Sequence, residues 1–283
     1  MWTLKLVVIL AGIYAAMVLI VFLAQTTLLF PTSAAGGSPA LPPGAERLAL
    51  DTPEGERLQG LRIPATPGPR SDRTTVLGFG GNAWNAENMA AYLHELFPAA
   101  EVVAFHYRGY PPSTGRPSAE ALLQDAPRIY DFVTQKLAPT RVVAVGFSVG
   151  SGVAAHLARE RPLQGLILVT PFDSLEQLAR EHYRWLPVRL LLRHRMLPID
   201  DLRRVTAPVA LIAAEHDTIV PERRTAPLRK AARTVIMDRT IPGAGHNDMY
   251  ASPEFVSAMR EAITLIEHRA EASPAKQAVP TQD

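Results

Sequence analysis

Six short apolar runs recur along this chain with helix-like stretches between most of them: Thr75 to Phe79, Val102 to Tyr107, Val142 to Phe147, Leu166 to Thr170, Val209 to Ala213 and Thr234 to Met237. A strand that is apolar at nearly every position has to be covered on both faces, and parallel neighbours need crossover segments between them. The pattern therefore predicts an α/β domain with a mostly parallel sheet and helices on both faces. The predicted helices fall at Asn85 to Leu96, Ser118 to Leu137, Ser148 to Glu160, Glu222 to Ala232 and Pro253 to His268. Ahead of them, Arg47 to Leu50 and Leu58 to Ile63 flank the turn-forming Asp51-Thr52-Pro53-Glu54-Gly55, which predicts an antiparallel hairpin. Two further helical pieces within Ser174 to Leu197 interrupt the rhythm, and a small helical cap insertion over about residues 174–205 is expected there, above the edge of the sheet.

The domain is expected over residues 45–269. Before it, Leu6 to Ala24 is a stretch of 19 residues without a charge or strongly polar side chain, preceded by Lys5. That is about the length that spans a bilayer core, so residues 1–30 are expected to form an N-terminal transmembrane anchor that associates with the membrane through residues 6–24. A cleaved signal peptide, with Ser33-Ala34-Ala35 as its small-residue site, would release a secreted domain. Its apolar part, however, normally runs only about 7 to 15 residues. A core helix apolar on every face fits a domain poorly. No Lys or Arg follows the span until Arg47, so the positive-inside rule places the N-terminus in the cytoplasm and the domain on the non-cytoplasmic side. Residues 31–44, rich in Pro, Gly and Ser, read as a linker, and residues 270–283 as a disordered tail.

Composition removes several function classes. Lys plus Arg (29) nearly balances Asp plus Glu (27), so no strong field gathers nucleic acid. With no Cys there is no disulfide, thiol nucleophile or Cys-ligated metal. Neither a helical His pair with a Glu nor carboxylates at calcium-loop spacing occur, and Gly78 to Gly81 lacks both the dinucleotide fingerprint and a phosphate-loop Lys. No metal or other cofactor is expected.

Gly146-Phe147-Ser148-Val149-Gly150 follows a very apolar run and leads into a predicted helix. A Gly-x-Ser-x-Gly alone is a weak signal. Placed at a strand-to-helix turn it is stronger, because a turn that exposes the Ser hydroxyl strains the backbone and needs small residues two positions either side. A Gly-rich turn whose Ser merely caps the helix is the plain alternative. Ser151, three residues on, points away from the apex. A serine nucleophile needs a base and a third group that orients the base. His246 lies in the Gly-rich Pro242-Gly243-Ala244-Gly245-His246-Asn247-Asp248, whereas His94, His156 and His268 lie within predicted helices. For the acid, the loop after Pro208 to Ala214 offers Asp217, with Glu215 as runner-up, where open α/β sheets place their sites. Gly78-Phe79-Gly80-Gly81-Asn82-Ala83 ends the first parallel strand, and the backbone N–H groups of Asn82 and Val149 would form an oxyanion hole. A Gly-rich turn without chemistry is the alternative there.

Taken with Tyr107-Arg108-Gly109-Tyr110 and Asp217-Thr218-Ile219-Val220-Pro221, these segments make the chain, from about Gln25 to the end of the last helix, resemble a membrane-anchored α/β-hydrolase. The resemblance is to the alpha/beta-hydrolase-domain group, similar to serine aminopeptidase-like and acyl-hydrolase branches. It implies the α/β-hydrolase fold, with Ser148 as nucleophile, Asp217 as acid and His246 as base. It also implies a small-molecule acyl substrate, lipids included, cleaved at an ester, thioester or amide bond. Where the family usually has His-Gly-Asn-Ala this chain has Gly80-Gly81-Asn82-Ala83, which changes the oxyanion wall but leaves the backbone donors. The alternative function is a membrane-tethered, non-catalytic binding or scaffold protein on the same fold. The complete Ser148, Asp217, His246 set discriminates between the two.

Overall fold

The computed structural model describes residues 1–67 and 74–272. Its elements in chain order are α1 (Trp2–Leu29), β1 (Glu46–Asp51), β2 (Arg57–Ile63), β3 (Thr74–Phe79), α2 (Ala86–Leu96), β4 (Glu101–Phe105), α3 (Ala119–Leu137), β5 (Arg141–Phe147), α4 (Val149–Glu160) and β6 (Gly165–Val169). They continue with α5 (Leu175–His182), α6 (Val188–Leu191), α7 (Pro198–Leu202), β7 (Val209–Ala214), α8 (Glu222–Ala231), β8 (Val235–Ile241) and α9 (Pro253–Glu271). Among the described residues the strands form one sheet in the order β1-β2-β4-β3-β5-β6-β7-β8. β1 pairs antiparallel with β2 and β2 with β4, while the remaining pairs are parallel. This is the α/β-hydrolase fold.

The apolar runs are explained by two cores, one on each face. Leu166 and Leu168 of β6 join α3, α4, α7 and α8 side chains such as Ile129, Val153, Leu202 and Leu228. Their neighbours Ile167 and Val169 join Met89 and Leu93 of α2 and Phe255 and Met259 of α9. Successive side chains of a strand point to opposite faces, so a doubly covered strand has no polar position to show. Each fully buried Leu or Met stabilises the fold by about 1.5–3 kcal/mol. Side-chain caps set where several helices begin: the Asn85 carbonyl accepts from the N–H groups of Glu87 and Asn88, and the Ser118 and Ser252 hydroxyls accept from Ala121 and Phe255.

The chain reverses direction around β3. From β3 it steps to β4 on one side through α2, then returns past β3 to β5 through α3. Right-handed crossovers in opposite directions put their helices on opposite faces, and α2 and α3 do pack into different cores. The loops leaving β3 and β5 consequently diverge and open a crevice at the carboxyl ends of these neighbours.

Several expectations need correction. The last strand extends to Ile241 rather than ending at Met237: it is an edge strand, and Asp238, Arg239 and Thr240 are exposed, so its second half carries no apolar run. The two helical pieces expected within Ser174 to Leu197 are α5 and α6, with the short α7 following against α4 and α8, but the insertion does not lie over the sheet's edge. It leaves the carboxyl end of β6 inside the sheet, and α5 stays at that end, where the His182 ring meets the Ile219 carbonyl of the loop after β7 at 2.7 Å. Helix α9 runs to Glu271, past the expected end at His268. The rest of the expected tail, residues 273–283, lies outside the described residues.

Helix α1 is one helix of 28 residues, long and apolar enough to cross a membrane by length and composition. Residues 31–44 run along the domain: Phe30 and Ala35 are buried in its core, and the side-chain amides of Asn85 and Asn88 donate to the carbonyls of Gly36 and Gly37 at 3.4 and 2.9 Å.

Candidate active site

Ser148 stands between β5 and α4 with φ of 49° and ψ of −117°, a left-handed backbone that a side chain strains. The strain is held by a tight crossing of chains. A Cβ on Gly146 would collide with the carbonyl of Gly150, and one on Gly150 with the carbonyl of Phe79. Only glycine fits at either position. The Ser148 N–H donates to the Val169 carbonyl at 2.9 Å, tying the turn to β6. Its side chain makes no capping bond to α4, unlike Ser118 and Ser252 on their helices. Ser151, fully buried, donates its hydroxyl to the Ser148 carbonyl at 2.6 Å and is thereby committed to the turn.

Across the crevice lies the Gly80-Gly81-Asn82 loop from β3, where a Cβ on Gly81 would sit 3.7 Å from that of Ser148. Two phenols hold this loop from β4's far end: Tyr107 donates to the Gly80 carbonyl at 2.8 Å and Tyr110 to the Asn82 carbonyl at 2.6 Å. Val149 is the first residue of α4, whose leading N–H groups have no partners within the helix. The proposed Asn82 and Val149 donors thus belong to the loop after β3 and to the start of α4, the two segments that flank the crevice. Beside Gly80, where the family carries an imidazole, stand Met89 and Trp84, each 3.4 Å from where a Cβ would be.

Asp217 and His246 come from the loops after β7 and β8. The His246 Nδ1–H donates to Asp217 Oδ2 at 2.7 Å, and both residues are buried. The other Asp217 oxygen accepts from the N–H groups of Ile219 and Val220 at 2.9 and 2.7 Å, which fixes the carboxylate. Glu215 is exposed and accepts instead from the Gly243 N–H at 2.7 Å, so it shapes the His246 loop from outside. The His216 N–H also donates to the Ala244 carbonyl, so the acid and base loops are stitched together.

The floor of the site holds residues that the sequence reading did not single out. Tyr250 packs against Trp84, Phe147 and Phe255, and its carbonyl accepts from the Tyr92 hydroxyl at 2.7 Å. Burial, with the Asp217 charge adding, pushes the Tyr250 phenol up. Thr170, at the end of β6, has φ of 46° and is buried, a second strained position beside the first. Asp173, where the cap begins, pairs with Arg224 of α8 at 3.2 Å, and burial raises its carboxyl. Tyr107 and Tyr110 were visible as a Tyr-Arg-Gly-Tyr motif, but nothing local told which loop they would reach. Among the described residues no set of three His, Cys, Asp or Glu is gathered as a metal site would be.

A sheet of this topology with a strained Ser at its central turn and an Asp–His pair on later loops defines the class, and comparison with known proteins agrees. The alpha/beta hydrolase fold family model matches residues 76–195. An uncharacterized protein of Mycobacterium tuberculosis is 35% identical over 257 residues, covering 87% of this chain and 88% of that one. The chain belongs to the alpha/beta hydrolase family. The lysophosphatidylserine lipase ABHD12 of Danio rerio is 33% identical over 138 residues, 42% of this chain and 36% of that protein, so the chain spans about a third of that relative's length. An esterase of Pyrococcus furiosus superposes with a TM-score of 0.66 at 16% identity, covering 82% of this chain and 97% of that one, which is a likeness of fold.

Proposed function

We propose that the protein is a membrane-anchored serine hydrolase that cleaves an acyl ester through an acyl-enzyme on Ser148. The observation that carries this reading is the buried Asp217–His246 pair on the same end of the sheet as the strained Ser148 turn. With Nδ1–H given to Asp217, the imidazole keeps Nε2 unprotonated and ready to take a proton. Ser148 Oγ then attacks the substrate carbonyl carbon while its proton passes to Nε2. The carbonyl oxygen becomes an oxyanion that accepts from the N–H groups of Asn82 and Val149. Collapse breaks the ester bond, and the leaving alkoxide takes the proton from the imidazolium. Water repeats the sequence on the acyl-serine and releases the carboxylic acid. Asp217 stays ionised throughout and holds the imidazolium.

Within the ester, thioester and amide choices, the partial similarity to a lysophosphatidylserine lipase favours a single-chain lipid ester. A fluorophosphonate should label the full-length protein and leave Ser148→Ala unlabelled. Equal labelling of both would end the assignment. For topology, Lys5 ahead of the span and no cation until Arg47 support a cytoplasmic N-terminus with the catalytic domain on the other side. Alkaline phosphatase fused after Gly44 should be active. An inactive fusion would place the domain in the cytoplasm.

A further inference from the structure

Helix α1 stays bound to the cap long after it has left the core. Gln25, buried unlike the rest of α1, donates to the Leu191 carbonyl at 3.2 Å and accepts from the Arg193 N–H at 2.8 Å. The Arg193 guanidinium covers the Phe22 ring at 4.9 Å, and Thr26 meets His194 at 2.8 Å. Eleven residues earlier in the helix, Tyr14 donates to the Trp185 carbonyl at 2.9 Å. Tyr14 lies ten residues before Ala24, the end of the uninterrupted apolar stretch, and that distance is about 15 Å of helix. If the stretch spans a hydrocarbon core of about 30 Å, the Trp185 end of the cap reaches towards its middle. If the cap stayed in water, only Trp2 to Ile13 would remain for the bilayer, too short to cross it.

The surfaces agree with immersion. On α1, Leu19, Ile20 and Leu23 are 55, 64 and 65% exposed, and on the cap Leu190 is 84% exposed. Between helix and cap lies a small, half-open apolar pocket of about 90 Å³. Phe22, Leu28 and Leu29 line one side; Leu186, Val188 and Leu191 line the other. At its Leu29 end the pocket comes close to the loop after β3, where the Asn82 side chain donates to the Leu29 carbonyl at 3.4 Å.

We propose that the last turns of α1 and the cap together form the acyl-binding wall of the enzyme. A single acyl chain of a membrane lipid enters this pocket sideways from the leaflet, which brings its ester carbonyl to Ser148 without crossing water. The anchor is then part of the substrate site as well as a tether. This inference rests on the serine-hydrolase reading for its chemistry, and its test has one arm that needs no catalysis.

Full-length Ser148→Ala protein in phosphatidylcholine vesicles is photolysed with a lysophosphatidylcholine carrying a mid-chain diazirine, and cross-links are mapped by mass spectrometry. Labelling at Phe22 and Leu191 should be competed by unlabelled lysophosphatidylcholine, while background labelling at the lipid-facing Leu19 and Leu23 should not. Labelling that is uncompeted, or confined to Leu19 and Leu23, would overturn the pocket. In the second arm, Leu191→Trp fills the pocket. The ratio of kcat/KM for p-nitrophenyl palmitate to that for p-nitrophenyl acetate should fall about tenfold or more, chiefly through the KM of the palmitate ester. A parallel fall for both esters, or no change for either, overturns the proposal. Ester hydrolysis that survives in Ser148→Ala would instead sink the serine-hydrolase reading and leave the cross-linking result standing.

Discussion

Asp217 Oδ2 lies 2.7 Å from Nδ1 of His246, a residue 29 positions further along the chain, and the two loops that carry them are joined by a backbone hydrogen bond from His216 to Ala244. The carboxylate is fixed by two N–H groups of its own loop, so the imidazole is held by a group that cannot itself swing away. Glu215, two residues earlier, has its own partner in Gly243.

Asp217→Asn should lower kcat about ten-thousandfold with the fold intact, because the wrong tautomer of His246 then faces Ser148. Glu215→Gln should keep kcat within a few-fold and lower Tm slightly. The pair Ser148→Ala and His246→Ala should be scarcely worse together than either alone, since the residues act as a unit. Steady-state kinetics on p-nitrophenyl esters checks the rates and thermal unfolding the Tm, and multiplicative losses would count against a triad.

Tyr110→Phe removes the hydrogen bond that holds the Asn82 carbonyl, and with it the aim of the adjacent N–H. The expected result is a fall in kcat of about tenfold at nearly unchanged KM, the signature of an interaction that matters chiefly in the transition state. A rise in KM alone would mean that Tyr110 shapes the pocket and leaves the oxyanion loop unaffected.

Gly150→Ala places a methyl group against the Phe79 carbonyl, which is backbone and cannot turn aside. The substitution should cost about 3 kcal/mol, seen as a lower midpoint in urea. An unchanged midpoint would show that α4 can shift away from β3.

Glu54 is bound by Arg128 at 2.7 Å through both guanidinium nitrogens and by Arg108 at 3.1 Å, and these bonds, Arg128 foremost, hold its carboxyl down at about 2. Because the folded value is depressed below the ordinary 4.5, the stabilisation is complete above that pH and fades as the pH falls towards 2. Glu54→Gln should therefore lower Tm at pH 7, and the gap from the parent should close between about pH 4.5 and 2. A gap that stays constant with pH would mean that the ion pairs do not set it.

Much of this protein is legible locally. A doubly covered strand must be apolar throughout, a helix start needs a cap such as Asn85 or Ser118, and a Ser forced into left-handed backbone needs Gly146 and Gly150 beside it; each is a short-range demand written into adjacent residues. The strands, the main helices, the hairpin and the loops carrying Ser148, Asp217 and His246 follow from such demands. What depends on contacts between distant segments does not. The partner of His246 was a choice between two carboxylates until the β7 and β8 loops were seen side by side. The exposed half of β8 carried no apolar signature because an edge strand may face water. The reach of Tyr107 and Tyr110 to the Gly80 loop, the seat of the cap at the carboxyl end of β6, and the return of Gln25 and Tyr14 onto that cap are set by which surfaces remain uncovered once the core has closed. Those surfaces exist only after the chain has folded, so no neighbour in sequence records them.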